Sequence, residues 1–106
     1  MPATVPPGFE PLPALTGFLR TNGPFYRKLS PDGAVEYGFI PDERHGNMND
    51  MTHGGIVVAF LDTISGNILR VGAPADIRLA TISLTTRYLS GVRLGTWICG
   101  RAMVRK

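Results

Sequence analysis

The chain is predicted to be an α+β protein in which one long helix is set against an antiparallel sheet. Three observations predict it. A proline-free stretch from His53 to Val71 is densely apolar, and two stretches after it, Arg78 to Ser90 and Thr96 to Lys106, alternate with period two. A hairpin pattern and then a polar, glycine-bearing loop precede the helix. Strands before and after a single helix pack as two layers, helix on sheet. With 106 residues there is room for one core only. A chain this short buries a small fraction of its surface, so self-association is expected.

Residues 1–13, MPATVPPGFEPLP, hold five of the nine prolines and read as an extended arm that contributes no core strand. The single domain occupies 14–106. Ala14, Leu15, Phe18 and Leu19 have helical spacing and stop at Asn22-Gly23-Pro24, which predicts a helix of one to two turns. Phe25, Tyr26 and Leu29 suggest an extended piece. Asp32-Gly33 is a turn signal, and Ala34 to Ile40 alternates as a strand until Pro41 closes it. Asp42 to Thr52 is polar and must be a loop, a length of loop that often carries function in small domains. The helix from His53 to Val71 is apolar on nearly every side, the mark of a buried helix, and its roughly 18 residues span about 27 Å. Gly72, Ala73 and Pro74 end it. The two alternating stretches are predicted to be long strands joined by a turn over Gly91 to Gly95.

Composition removes several classes of function. The single cysteine, Cys99, cannot form an intramolecular disulfide, and the amino terminus lacks a basic, apolar leader, so a reducing cytoplasm is expected. The longest apolar run, Ile56 to Leu61, is far short of the roughly 20 residues needed to span a bilayer. Net charge is +3, and all eight acidic residues lie at or before Asp76, whereas six basic residues follow it. These arginines are scattered and have no interleaved aromatics, which speaks against nucleic acid and leaves a phosphorylated small molecule or plain solubility.

The residues that could do chemistry sit between Asn47 and Asp62. Gly54 and Gly55 open the helix, where backbone N–H groups lack an intrahelical partner and a ligand can approach closely. A carbonyl gaining negative charge there is stabilised by hydrogen bonds and the helix dipole; the alternative is that the glycines only allow tight loop packing. Asp62 lies mid-helix among Phe60, Leu61 and Ile64, where a buried carboxylate is costly. It is either a general base or nucleophile, or an edge carboxylate satisfied by Thr63, Ser65 or an arginine. Asn47 and His53 are placed to orient a carbonyl or water, or to cap the loop. His53 and Asp62 are nine residues apart, about 900° of turn and roughly 13 to 14 Å of rise, so they face opposite sides of the helix. If both ends act on one carbon, they belong to two chains across a two-fold interface. His45, Asp50 and His53 match no zinc spacing, so no metal is expected, and Cys99 in strand register reads as packing.

The stretch HGNMNDMTHGGIVVAFLDTISGNIL resembles the hotdog-fold acyl-CoA thioesterases of the phenylacetate-degradation type, whose pattern is a loop asparagine, then HGG, then a helical carboxylate. Here these are Asn47, His53-Gly54-Gly55 and Asp62. GPFY at 23–26, EYGFIPDERHGN at 36–47 and ATISLTTRYLSG at 80–91 resemble the flanking segments, and the likeness covers about 23–106. The resemblance implies a hotdog fold, a long central helix wrapped by an antiparallel sheet, with two further family strands past Lys106 missing from this chain. It implies hydrolysis of an acyl-CoA to free acid and CoA with no cofactor, in a homodimer or dimer of dimers. Amides of Gly54 and Gly55 would polarise the carbonyl while Asn47 and His53 position it. Asp62 of the other chain would attack or activate water, assisted by Thr81, with Ser83 as second choice, and Arg87 would meet CoA phosphates. A catalytically silent module that binds acyl-CoA or only oligomerises is the alternative.

Overall fold

The computed structural model describes residues 2–14 and 17–105. Met1 of the arm, Leu15 of the predicted first helix and Lys106 of the predicted last strand lie outside the described residues. The elements are β1 (Glu10–Pro11), α1 (Phe18–Asn22), β2 (Tyr26–Leu29), β3 (Val35–Phe39), a 3₁₀ turn (Glu43–His45), α2 (Gly54–Arg70) and β4 (Ile98–Arg101). The strands form one antiparallel sheet in the order β1-β2-β3-β4, and α2 lies in the long connection between β3 and β4.

The β2–β3 hairpin closes where Asp32-Gly33 predicts it. Gly33 takes a left-handed φ of 89°, and Asp32 Oδ1 accepts the Ala34 N–H at 3.0 Å. Alternation along β3 then puts Val35, Tyr37 and Phe39 on the buried face. Ile56, Phe60 and Ile64, each one turn apart on α2, are buried in the same cluster. The centre is aromatic: Phe60 lies 4.8 Å from Phe39 and 5.2 Å from Phe25, ring to ring, in tilted and edge-on contacts. Gly100 of β4 lets the helix approach, since a Cβ there would stand 3.1 Å from the Phe60 ring and 3.2 Å from Ile64 Cδ1. On the opposite sheet face Trp97 lies over Gly38, where a Cβ would stand 2.2 Å from the indole, and Phe9 meets Trp97 edge-on at 4.9 Å.

Four expectations are corrected. The proline-rich arm does add a strand, because Glu10 and Pro11 pair with Arg27 and Tyr26 at the sheet edge, a place where proline's missing N–H is tolerated. Residues 78–90 are not a strand. They are irregular and mostly exposed, with a bend at the fully open Ile82, and no described strand lies beside them to complete a ladder. The last predicted strand shortens to Ile98–Arg101, the four residues that find partners on β3. Finally, α2 is not buried all round. The four strands cover one face of it, and Gly55, Asp62, Ser65, Leu69 and Arg70 are exposed. No helix among the described residues is long and apolar enough to cross a membrane.

A polar cluster closes the far end of the core. The fully buried Tyr37 donates its hydroxyl to Asn67 Oδ1 of α2 at 2.7 Å, and Arg27 Nη1 donates to the same oxygen at 3.2 Å. Burial pushes the Tyr37 phenol above its ordinary value of 10.0, opposed by the Arg27 charge. A raised folded-state value means stability that is complete below the ordinary phenol value and is lost as pH rises through the raised one. Tyr37→Phe is therefore expected to lower unfolding free energy by about 1 kcal/mol at neutral pH. Urea titrations above pH 10.0 should show native stability falling more steeply than that of the variant.

Candidate functional site

The loop that carries the site is anchored from outside itself. Asp42 accepts the Arg44 backbone N–H at 2.9 Å, and the Arg44 guanidinium returns to its carboxylate at 2.9 Å, holding Asp42 below the ordinary carboxylate value. Arg44 also donates to the carbonyls of Thr21 in the last turn of α1 and Gly23 just after it. His45 is buried. Its Nδ1 accepts the Asp42 N–H at 2.9 Å, which leaves the ring proton on Nε2 to donate to the Asn22 carbonyl at 2.7 Å. The His45 carbonyl then accepts the His53 N–H at 2.7 Å, so α1 fixes the start of α2 through one histidine.

Asn47 caps the loop. Its Oδ1 accepts from the N–H groups of Asn49 at 2.8 Å and Met51 at 3.1 Å, and Asp50 turns the chain with φ 57°. Asn47 and His53 border one shallow hollow of about 620 Å³ with Gly46, Met48 and Asn49.

The helix entrance is more occupied than spacing alone suggests. His53 is the N-cap of α2, and its Nδ1 accepts the Gly55 N–H at 2.7 Å. The Ile56 N–H is taken by the His53 carbonyl at 3.1 Å. Among the described residues the Gly54 N–H has no acceptor, whereas its carbonyl receives the Tyr88 hydroxyl at 2.9 Å. Nearby, Thr52 is buried with its hydroxyl unpartnered. Loss of the cap is expected to cost about 1 kcal/mol, so His53→Ala should lower the melting temperature by roughly 4–8 °C in calorimetry.

Asp62 faces the open side of α2 and is exposed, which removes the desolvation cost expected of a buried carboxylate. The Thr81 hydroxyl donates to its Oδ1. Thr63 and Ser65, the expected satisfiers, turn back to the helix instead, bonding the carbonyls of Ala59 and Leu61 at 2.8 Å each. Asp62, Thr81 and Ser83 line a cleft of about 1000 Å³ between α2, α1 and the segment 79–84. This cleft and the hollow of Asn47 and His53 have no lining residue in common. One chain thus gathers Asp62, Thr81 and Ser83 in one place and Asn47 with His53 in another, while Arg87 is exposed and lines neither.

Two contributors were not singled out from the sequence. His45 had a signal, the capping-box spacing from Asp42, which the structure satisfies in both directions. Tyr88 had none, since alternation fixes the face of an extended residue and not its partner. Among the described residues no three His, Cys, Asp or Glu side chains gather as metal ligands would.

The comparisons with known proteins bear on the same segment. Over 94 residues the chain is 26% identical to the Pseudomonas aeruginosa protein named "Putative esterase PA0474", which covers 89% of this chain and 70% of that protein. The family pattern described as thioesterase superfamily matches residues 49–106, more than half of the chain, from the loop through α2, the Asp62–Thr81 pair and β4. A long helix laid on a four-stranded antiparallel sheet agrees with the hotdog fold of that family, and this chain belongs to the thioesterase superfamily.

Proposed function

We propose that the protein hydrolyses an acyl-CoA thioester to the free acid and CoA, as a thioesterase of the phenylacetate-degradation type, at a site completed by a second copy of the chain. The observation that carries this reading is Asp62, held by Thr81 on the open side of α2 in front of a cleft, about 12 Å of helix away from its own chain's Gly54 amide. That distance is too long for one thioester carbon to meet both. A homodimer, alone or paired into a tetramer, supplies Asp62 from one chain and the helix entrance from the other.

The chemistry then runs as follows. Asp62 takes a proton from water, the oxygen attacks the thioester carbon, and the carbonyl π electrons move to oxygen. The oxyanion is met by the Gly54 N–H at the positive end of α2. Collapse breaks the C–S bond, and the CoA thiolate leaves and takes up the proton. Direct attack by the carboxylate is the alternative: it expels the CoA thiolate and forms a mixed anhydride on Asp62, which water then cleaves to the free acid and the regenerated carboxylate. Gly55 joins as a second donor when the His53 ring swings off its amide. Asn47 and His53 position the carbonyl, Thr81 orients Asp62 with Ser83 beside it, and Arg87 meets CoA phosphates. No metal or organic cofactor is required.

A second reading has one observation in its favour: His53 occupies the Gly55 amide. A module that binds acyl-CoA without turnover, or only oligomerises, has no need of that donor. Thiol release from aromatic, short-chain and long-chain acyl-CoAs separates the two. The hydrolase reading predicts release above the buffer rate for at least one class, and no release from any class would leave the binding module.

A further inference from the structure

We propose that the cleft in front of Asp62 accepts acyl groups that end in a second carboxylate, and that Arg70 holds that carboxylate. This rests on the hydrolase reading and names the substrate class for the same site.

Arg70 lines the cleft together with Asp62. The two are eight residues apart on α2, about 12 Å along the axis, and Gly66 stands midway. Side chains on a helix slant toward its N-terminus, and Arg70 follows that rule, lying back along the helix over Gly66. A Cβ at Gly66 would stand only 3.4 Å from Arg70 Nη1. The guanidinium therefore lies roughly one turn, about 5 to 6 Å, from the level of Asp62. Glycine inside a helix costs about 1 kcal/mol relative to alanine, and here it opens the floor between the carboxylate and the cation.

The guanidinium is also free. Among the described residues no Asp or Glu lies within ion-pair distance of Arg70, and its side chain makes no hydrogen bond. The ion pairs present involve Asp42 with Arg44 and His45, and Glu36 with Arg101. The cleft walls carry Phe18, Leu69, Leu79 and Leu84, all exposed to the cleft or to solvent, with hydroxyls of Ser65 and Ser83 among them. A reacting carbon at Asp62, a short methylene chain along these walls and a terminal carboxylate on a planar two-pronged donor fit this order of surfaces.

Glutaryl-CoA and valeryl-CoA test the proposal, because they share chain length and CoA and differ in the terminal carboxylate. The native protein is expected to prefer glutaryl-CoA by about tenfold or more in kcat/KM. Arg70→Met should cut that ratio by about tenfold, chiefly through KM for glutaryl-CoA, and Arg70→Lys, which keeps the charge and loses the two-pronged geometry, should fall between the two. A native ratio near or below one, or a ratio unchanged in Arg70→Met, overturns the inference while valeryl-CoA hydrolysis leaves the hydrolase reading standing. Thiol release from neither substrate, nor from any acyl-CoA in the wider panel, overturns both.

Discussion

Asp62→Asn is expected to lower thiol release from the best acyl-CoA by about two orders of magnitude or more, with the protein still folded. Asparagine has the size of aspartate, and its amide oxygen can still accept the Thr81 hydroxyl, so the hydrogen bond that orients the side chain survives. What disappears is the ability to take a proton or to attack. Asp62 is exposed and asparagine keeps its bond from Thr81, so the unfolding free energy should move by no more than about 0.5 kcal/mol. The effect should fall on kcat, because the carboxylate acts on water or carbon in the transition state rather than on the bound CoA. Native-level release from Asp62→Asn would remove Asp62 from the chemistry and favour the binding module.

The largest effect on stability is expected from Phe60→Ala. Phe60 is the residue of α2 on which the sheet closes: it touches Phe25 and Phe39, and the missing side chain of Gly100 leaves room for its ring. Removing a buried phenylalanine costs roughly 3–5 kcal/mol, from the lost transfer free energy and the cavity left behind. Domains of this size are stable by about 5–15 kcal/mol, so the variant should melt at least roughly 12 °C lower, or fail to fold. Ile82→Ala, at a residue with no burial at all, should leave melting unchanged. Equal melting temperatures for native protein and Phe60→Ala would contradict the core described here.

Much of this architecture was legible where the chain's own period decides the structure. The alternation of Val35, Tyr37 and Phe39 fixed a buried face, and Asp32-Gly33 fixed the turn that returns the hairpin. The proline-free apolar run named α2 to within a residue or so at each end. Residues 78–90 misled for a physical reason. Alternating Thr, Ile, Leu and Tyr state which faces such a segment would present, but a strand also needs a neighbour to share hydrogen bonds, and that neighbour is not a local property. The same absence of cover explains α2: Val57 and Leu69 read as core, whereas the sheet buries the face of Ile56, Phe60 and Ile64, with Ala59, Leu61 and Ile68 packed at its margin.

For the candidate site, the sequence named residues but not the surroundings in which the structure places them. Asp62 takes its side-chain hydrogen bond from Thr81, and Ser83 lines the same cleft. Asp62 was misjudged as buried because its sequence neighbours are apolar, whereas its helical neighbours Thr63, Ser65 and Gly66 open that face to the cleft. The bond from Gly55 to His53 could not be foreseen, since a histidine at that spacing serves equally as cap or as substrate ligand.

If each chain lends Asp62 to its neighbour's helix entrance, as proposed, two inactive variants should restore activity to one another in a mixed dimer. Gly54→Pro removes the free amide at the first helical position, where proline is tolerated and the extended His53 before it is compatible, and the Tyr88 ring, 3.1 Å from a Cβ there, gives way by a few tenths of an ångström. Asp62→Asn and Gly54→Pro proteins, each inactive alone, are mixed, dissociated and reassembled. Half of the random dimers are then hybrids, each with one intact site of two, so thiol release should return to about one quarter of the native rate. A mixture that stays as inactive as its components would contradict the shared site.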